Sequence, residues 1–361
     1  MSKRVRDRGG IRHRRGGLVV EVNNRVTMAE VAAAAGVSIP TVSKVLNGRA
    51  DVARETRDRI ERMLAEFGYA PQPRKTRRAG VIDLVFTELS EWATEIVRGA
   101  EEAALALGSR IAVSAVRGDA AERNWWTSLA SSRTDGVVLV LTELAPEHRD
   151  RLAALKIPMV AVEPVSDSDP RIPSVGAANW AGGLRATEHL LELGHRRIGT
   201  ITGRPSVQCS QARLDGYRTA LRRAGVPLDP ALIAVGDFHY ESALAAASAM
   251  LELPERPTAI FAASDLQAMG VYEAARRHHL RLPDDLSVIG FDDVPMAAYA
   301  PPPLTTMHQP LDEMASLAVR SLLAPVGTGM SARVELATSL VVRSSTAPPG
   351  EANTPMTTEG A

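Results

Sequence analysis

Between Met28 and Phe67 the apolar side chains return every three or four residues, whereas beyond Val81 they gather into short unbroken runs. The first rhythm is that of amphipathic helices. Met28, Val31, Ala32 and Ala35 mark one helix, which Thr27 opens as a capping box with Glu30 and Gly36-Val37 closes. Ser38 supplies an N-cap oxygen for a second helix from Ile39 to Leu46, and Pro40 in its first turn costs no hydrogen bond. Ile60, Met63, Leu64 and Phe67 mark a third, with Gly68 at its C′ position. Helices this short are stable only when each covers another's apolar face, so residues 25–70 are predicted to form a small all-α domain.

The second rhythm is strand, helix, strand. Apolar runs stand at Val81–Phe86, Arg110–Val116, Gly136–Leu141, Ile157–Val162, Arg197–Ile201, Leu232–Val235, Thr258–Ala262 and Leu286–Phe291. Helical stretches separate most of them, among them Trp92–Leu107, Ala181–Leu193, Ala212–Ala224, Ser242–Leu251 and Leu266–His279. Short apolar strands alternating with helices predict an α/β module, with about ten strands in two doubly wound parallel sheets. Such folds bind ligands at the C-terminal ends of strands, which directs attention to the loops after Phe86, Ile201, Ala262 and Phe291. The Pro- and Arg-containing segment 71–80 reads as a basic linker, and the two ends, 1–24 and 347–361, as disordered tails. The Arg-rich first tail either adds phosphate attraction or precedes the true start of translation.

Composition sharpens this division. The formal net charge is zero, yet residues 1–80 hold 18 Lys and Arg against 8 Asp and Glu, which leaves the remainder at −10. A basic head on an acidic body suits a chain of which only one end meets polyphosphate. The single cysteine, Cys209, excludes an internal disulfide framework and any cysteine-based zinc site. No apolar stretch of about 18 residues occurs and the start has no apolar core of a signal peptide, so the protein is expected in the cytoplasm, with no membrane contact.

Two capped helices around a glycine turn, the second rich in Ser, Thr and Lys, fit a helix-turn-helix whose second helix enters the major groove of double-stranded DNA. Ser38, Thr41 and Ser43 are small hydroxyl donors for phosphate beside a helix N-terminus, and Lys44 is a cation able to reach guanine acceptors. An Ala-rich hairpin with a packing role fits the same pattern.

The stretch VTMAEVAAAAGVSIPTVSKVLNG, continuing to Tyr69-Ala70-Pro71, resembles the DNA-binding head of the lactose and galactose repressor family. The resemblance implies a homodimer on a pseudopalindromic operator, with Ile39 and Pro40 at the positions that choose operator sequence and Thr41, Ser43 and Asn47 at phosphate-contacting positions. Ile39 and Pro40 carry no hydrogen-bonding side chain, so their choice rests on apolar contact with thymine methyls. The linker departs from the family: it lacks the leucine that wedges into the minor groove, and Arg77 and Arg78 are left to grip phosphate instead.

The likeness continues through Ala212-Arg213-Leu214-Asp215-Gly216-Tyr217, Phe261–Asp265, Ser287–Asp293 and Pro303–Thr306. It implies a sensor resembling periplasmic sugar-binding proteins over residues 81–346, with lobe one at 81–178 and 308–332, lobe two at 179–307 and 333–346, and the ligand clamped between them. Arg213 and Asp292 suit adjacent hydroxyls, Trp92 and Phe238 suit the apolar face of a pyranose, and Ser264 stands where relatives reach the ligand. Arg213 equally suits a bridge to a carboxylate, Asp292 a turn cap and Phe238 a core position. Purine-binding relatives have an arginine where this chain has Val207, which favours a sugar over a purine or nucleoside.

A solute-binding protein and an enzyme are the rival readings. The first has no use for residues 25–70. The second finds no GxSxG elbow, phosphate loop or dinucleotide fingerprint, and His278-His279 point about 100 degrees apart on a helix, so neither a catalytic set nor a metal or cofactor is expected.

Overall fold

A computed structural model of the protein describes residues 28–46, 52–67, 80–131, 134–142, 146–166, 172–324 and 333–350. The chain divides into two compact units, Met1–Thr76 and Arg77–Ala361.

In the first unit lie α1 (Met28–Ala35), α2 (Ile39–Leu46) and α3 (Arg54–Glu66). They share one small core, in which Val31, Ala32, Ala35, Val42, Val45 and Ile60 are buried. The turn between α1 and α2 is closed by backbone bonds from Gly36 to Ala33 and from Val37 to Ala32. The predicted capping residue Thr27 and the closing Gly68 lie outside the described residues. At the start of α2 the Ser38 hydroxyl lies 2.8 Å from the Thr41 hydroxyl, while its carbonyl accepts from the amides of Thr41 and Val42.

The second unit holds two six-stranded sheets. Lobe one contains β1 (Val81–Phe86), β2 (Arg110–Ala115), β3 (Gly136–Val140), β4 (Met159–Val162) and β5 (Ser174–Ala177), with α4 (Glu91–Ala106), α5 (Gly118–Ser131) and α6 (Pro146–Ala154) between them. Lobe two contains α7 (Asn179–Glu192), β6 (Ile198–Thr202), α8 (Gln208–Arg223), β7 (Ile233–Val235), α9 (Tyr240–Leu251), β8 (Ala259–Ala262), α10 (Asp265–Arg277), β9 (Ser287–Asp292), α11 (Pro295–Tyr299) and β10 (Thr305–His308). The chain then returns to lobe one as α12 (Leu311–Leu323), whose Met314, Ala315, Ala318 and Val319 join the core under β1, β3 and β4.

Two boundaries differ from the sequence reading. Residues 333–346 are expected wholly in lobe two, but β11 (Arg333–Leu336) pairs in parallel with β5 of lobe one, and only β12 (Ser339–Val341) joins lobe two, antiparallel to β10. The third crossing therefore falls at residues 337–338, because the half-exposed strands on either side each complete a different sheet edge. The tail expected from Ala347 is anchored at that residue: its amide donates to Ser287 Oγ at 3.0 Å and its carbonyl accepts from the same hydroxyl at 3.0 Å. Residues 351–361 lie outside the described residues.

A close approach of α7 and α8 fixes where Arg213 starts. A Cβ on Gly183 of α7 would fall 2.2 Å from the carbonyl of Arg213, and one on Gly216 of α8 would fall 2.3 Å from the carbonyl of Trp180. The paired glycines let the two helix backbones touch, which sets the base from which the Arg213 side chain extends.

Candidate functional site

In the head, Val42 and Val45 turn one side of α2 into the core. Ser38, immediately before the helix, and Ile39, Pro40 and Lys44 on it are exposed, and Thr41 and Ser43 are half-buried. Burial of the two valines thus leaves the predicted reading residues on solvent-facing positions, with Ile39 48% exposed although apolar. Asn47, Arg77 and Arg78 lie outside the described residues.

In the second unit the C-terminal strand ends of both lobes face a cavity of about 540 Å³. All five residues singled out from the sequence line it: Trp92, Arg213, Phe238, Ser264 and Asp292. Phe238 and Ser264 arrive from the segments after β7 and β8, Asp292 from the end of β9, and Trp92 and Arg213 from the first turns of α4 and α8. Parallel topology brings these ends together, which is why residues 200 positions apart meet. The size lies within the ~300–1,000 Å³ of small-molecule sites.

Arg213 is the floor of this cavity. Its Nε donates to Asn179 Oδ1 at 2.8 Å, one terminal nitrogen donates to the Ala263 carbonyl, and the guanidinium lies 3.7 Å from the centroid of the Phe291 ring. Asp292 Oδ1 stands 3.6 Å from an Arg213 nitrogen and accepts from Gln309 Nε2 at 2.6 Å. Arg213 thus faces a carboxylate while lining the cavity. Burial pushes the Asp292 carboxyl up to about 7, against the lowering effect of Arg213. Two further buried carboxyls crowd the same charge. Glu163, raised by burial, accepts from the Ala177 amide at 2.5 Å and from Asn179 Nδ2 at 3.0 Å. Asp265 is raised well above the ordinary range, first by burial and then by the Asp292 carboxylate, and accepts from the Val294 amide at 3.0 Å.

Phe238 closes the cavity from lobe two. A Cβ on Gly203 would lie 1.9 Å from its ring, so the aromatic plate seats directly on a glycine. The Ser264 hydroxyl N-caps α10 by accepting from the Gln267 amide at 3.1 Å. Trp92 stands in the first turn of α4 and packs against the lobe-one core while lining the cavity. Backbone strain collects here as well. Leu141, Glu163, Phe238 and Asp292 hold positive φ values of 45, 48, 74 and 123 degrees, and all four line the cavity. Left-handed conformations at bulky residues persist where the surroundings over-determine them, a feature that clusters at ligand sites.

The sequence reading overlooks Glu163, Asn179, Gln309, Glu88 and His239. Glu163 and Glu88 each follow a predicted strand, so strand-end position was the available signal. Asn179 and Gln309 carry none, because their role depends on which loops the topology joins. Among the described residues no group of three or more His, Cys, Asp or Glu is placed to hold a metal ion.

An exposed reading helix on a three-helix head, followed by a two-lobed α/β module closed around a cavity, defines a helix-turn-helix regulator carrying a periplasmic-binding-protein-like sensor. Comparison with known proteins agrees. The model of the lacI family of bacterial regulatory proteins matches residues 27–72, and that of the periplasmic binding protein-like domain matches residues 187–346. The transcriptional repressor CytR of Escherichia coli (strain K12) is 34% identical over 307 residues, covering 82% of this chain and 89% of CytR. The transcriptional regulator CelR of Thermobifida fusca is 34% identical over 341 residues, covering 90% of this chain and all of CelR. The solved structure of a CelR–cellobiose complex superposes with a TM-score of 0.67 at 34% identity, over 89% of this chain and 100% of that one. The chain belongs to the lacI family of bacterial regulatory proteins. It is a DNA-binding transcriptional regulator, and the enzyme reading falls with that assignment.

Proposed function

We propose that the protein is a dimeric repressor whose cleft binds a sugar and whose operator affinity falls when it does. The observation that carries the sugar reading is the pairing of Arg213 with Asp292 on the cavity floor, flanked by the rings of Trp92 and Phe238. A guanidinium has more N–H donors than Asn179 and Ala263 engage, and a carboxylate beside it accepts from adjacent hydroxyls. Flat rings suit the apolar face of a pyranose. The similarity to CelR, solved with cellobiose, supports the same ligand class. Val207, buried at the start of α8, offers no hydrogen bond to a purine ring.

On DNA, Ser38, Thr41, Ser43 and Asn47 hold phosphate, Lys44 reaches base acceptors, Ile39 and Pro40 select by apolar contact, and Arg77 and Arg78 add salt-sensitive grip. A single head covers little DNA, so two copies meet a twofold operator. Such a protein works in the cytoplasm, where the DNA is. Among the described residues no helix is long and apolar enough to cross a membrane.

Thermal unfolding of the full chain against a panel of mono- and disaccharides tests the ligand class. Saturation at 100 times Kd stabilises a protein by about 2.7 kcal/mol. A stabilisation by one sugar that Asp292→Ala abolishes supports the reading, and stabilisation by nucleosides alone overturns it.

A further inference from the structure

We infer that Glu88 is a positioning residue that holds the two lobes together at the rim of the cleft, an ionic latch that biases the ligand-free sensor towards closure. The inference rests on the reading of the cleft as an effector site, and its test reads opening without any effector.

Glu88 lies two residues beyond β1 in lobe one and lines the cavity. From lobe two, His239 Nε2 stands 2.9 Å and an Arg204 terminal nitrogen 3.5 Å from Glu88 Oε1. From its own lobe, Arg117 donates to Oε2 at 3.0 Å. The side chains of Glu88, His239, Arg204 and Arg117 are 25%, 36%, 41% and 69% exposed, so this cluster sits at the rim, whereas Arg213 and Asp292 at 5% and 8% form the floor. His239 directly follows Phe238 and Arg204 directly follows Gly203, so the ring-on-glycine contact fixes both partners of the latch on one side.

The distribution of partners gives the latch its character. Opening the cleft breaks the contacts to His239 and Arg204 but leaves Arg117 in place, because Arg117 and Glu88 move as one lobe. The carboxylate therefore keeps a cation in the open state, and opening never strands a bare charge in a low-dielectric site. Partly exposed ion pairs are individually weak, so the latch tilts the equilibrium without locking it. Gln208 adds two hydrogen bonds between lobes, a neutral one from its amide to the Val165 carbonyl at 2.9 Å and a charge-assisted one that its side-chain oxygen accepts from the Arg333 guanidinium at 2.9 Å. With Arg204, Glu88 supplies a charge–charge pair across the cleft, which salt weakens more than either bond of Gln208.

Cys209 provides the gauge: it is the sole cysteine, is buried, and lines the same cavity. Its reaction with an aromatic disulfide reagent, followed on the full ligand-free chain, reports the open population. Glu88→Ala is expected to react about threefold to tenfold faster than the parent. Arg204→Ala and His239→Ala each accelerate the reaction as well, Arg117→Ala does not, and Glu88→Ala combined with Arg204→Ala gives less than the product of the single effects. Urea midpoints measured in parallel separate latch release from unfolding. The inference is overturned if Glu88→Ala reacts at the parental rate, if Arg117→Ala accelerates equally, if the double variant is multiplicative, or if the rates follow global stability.

Discussion

Gln309 Nε2 donates to Asp292 Oδ1 at 2.6 Å, and Gln309 is the residue at which the chain leaves β10 of lobe two for α12 of lobe one. The matching contact stands at the first crossing, where Asn179 takes the Nε bond of Arg213 on one side and donates to Glu163 of lobe one on the other. Each of the two cavity-floor groups is thus hydrogen-bonded to a hinge residue. A ligand that redirects Arg213 or Asp292 acts on the segments that must bend when the cleft opens or closes.

This relationship sets the first expectation. Asp292→Ala removes the carboxylate and leaves Gln309 without its acceptor, so ligand response is lost while operator binding in ligand-free protein stays near the parental value. Arg213→Ala behaves differently: it strands Asp292 and Glu163 without their shared cation, and the cost is about 3–5 kcal/mol of stability. Urea unfolding of the two variants checks the contrast, and equal destabilisation would show that Asp292 is a structural partner alone.

Gly183→Ala places a methyl where the Arg213 carbonyl already stands, at 2.2 Å. Backbone cannot swing aside as a side chain can, so α7 and α8 must part. The expected cost is about 1–3 kcal/mol, with weakened ligand binding because Arg213 moves with α8. A calorimetric titration of this variant at parental affinity would show that the helix contact does not position the guanidinium.

Much of this arrangement was legible in the sequence, and the omissions share a cause. Fully buried parallel strands such as Gly136–Val140 read as continuous apolar runs, so the central strands of both sheets stand out. The edge strands Arg333–Leu336 and Ser339–Val341 are half-exposed and short, and nothing in their composition separates them from loop. The helix α5 begins at a glycine and buries the adjacent Trp125 and Trp126 with Leu129, a spacing that does not announce a helical face. In the cleft, Arg213 and Asp292 were visible because each sits in a recognisable stretch. Asn179 and Gln309 were not, since their value lies in contacts that only the joining of the two lobes creates.

His195 contributes acid sensitivity to lobe two. Its ring lies 2.8 Å from Thr258 Oγ1 and 2.9 Å from the Ala347 carbonyl, and burial, with smaller contributions from His189 and Arg196, lowers it from 6.5 to about 4. The unfolded chain therefore takes up the proton first. Stability attached to this residue is complete above pH 6.5 and is lost as pH falls from 6.5 to about 4, by on the order of 3 kcal/mol at most. Urea midpoints at pH 7.5 and pH 4.5 should fall further apart in the parent than in His195→Gln, and an identical pH dependence contradicts the assignment.

Lys44, exposed on α2, is expected to act on base edges. Lys44→Ala should weaken operator binding by about 1–3 kcal/mol and nonspecific binding less. Equal losses on operator and random duplex, compared at one salt concentration, would place it among the phosphate contacts.

The central claim is that cleft occupancy and operator binding are one equilibrium. It is tested most directly by titrating operator DNA with the full-length protein, with and without a saturating sugar already shown to stabilise the parent but not Asp292→Ala. The account predicts that the sugar weakens operator binding by about 1–3 kcal/mol, a five- to 150-fold change, and that operator weakens sugar binding by the same factor. Unchanged operator affinity, or tighter binding, with the cleft demonstrably filled would contradict it.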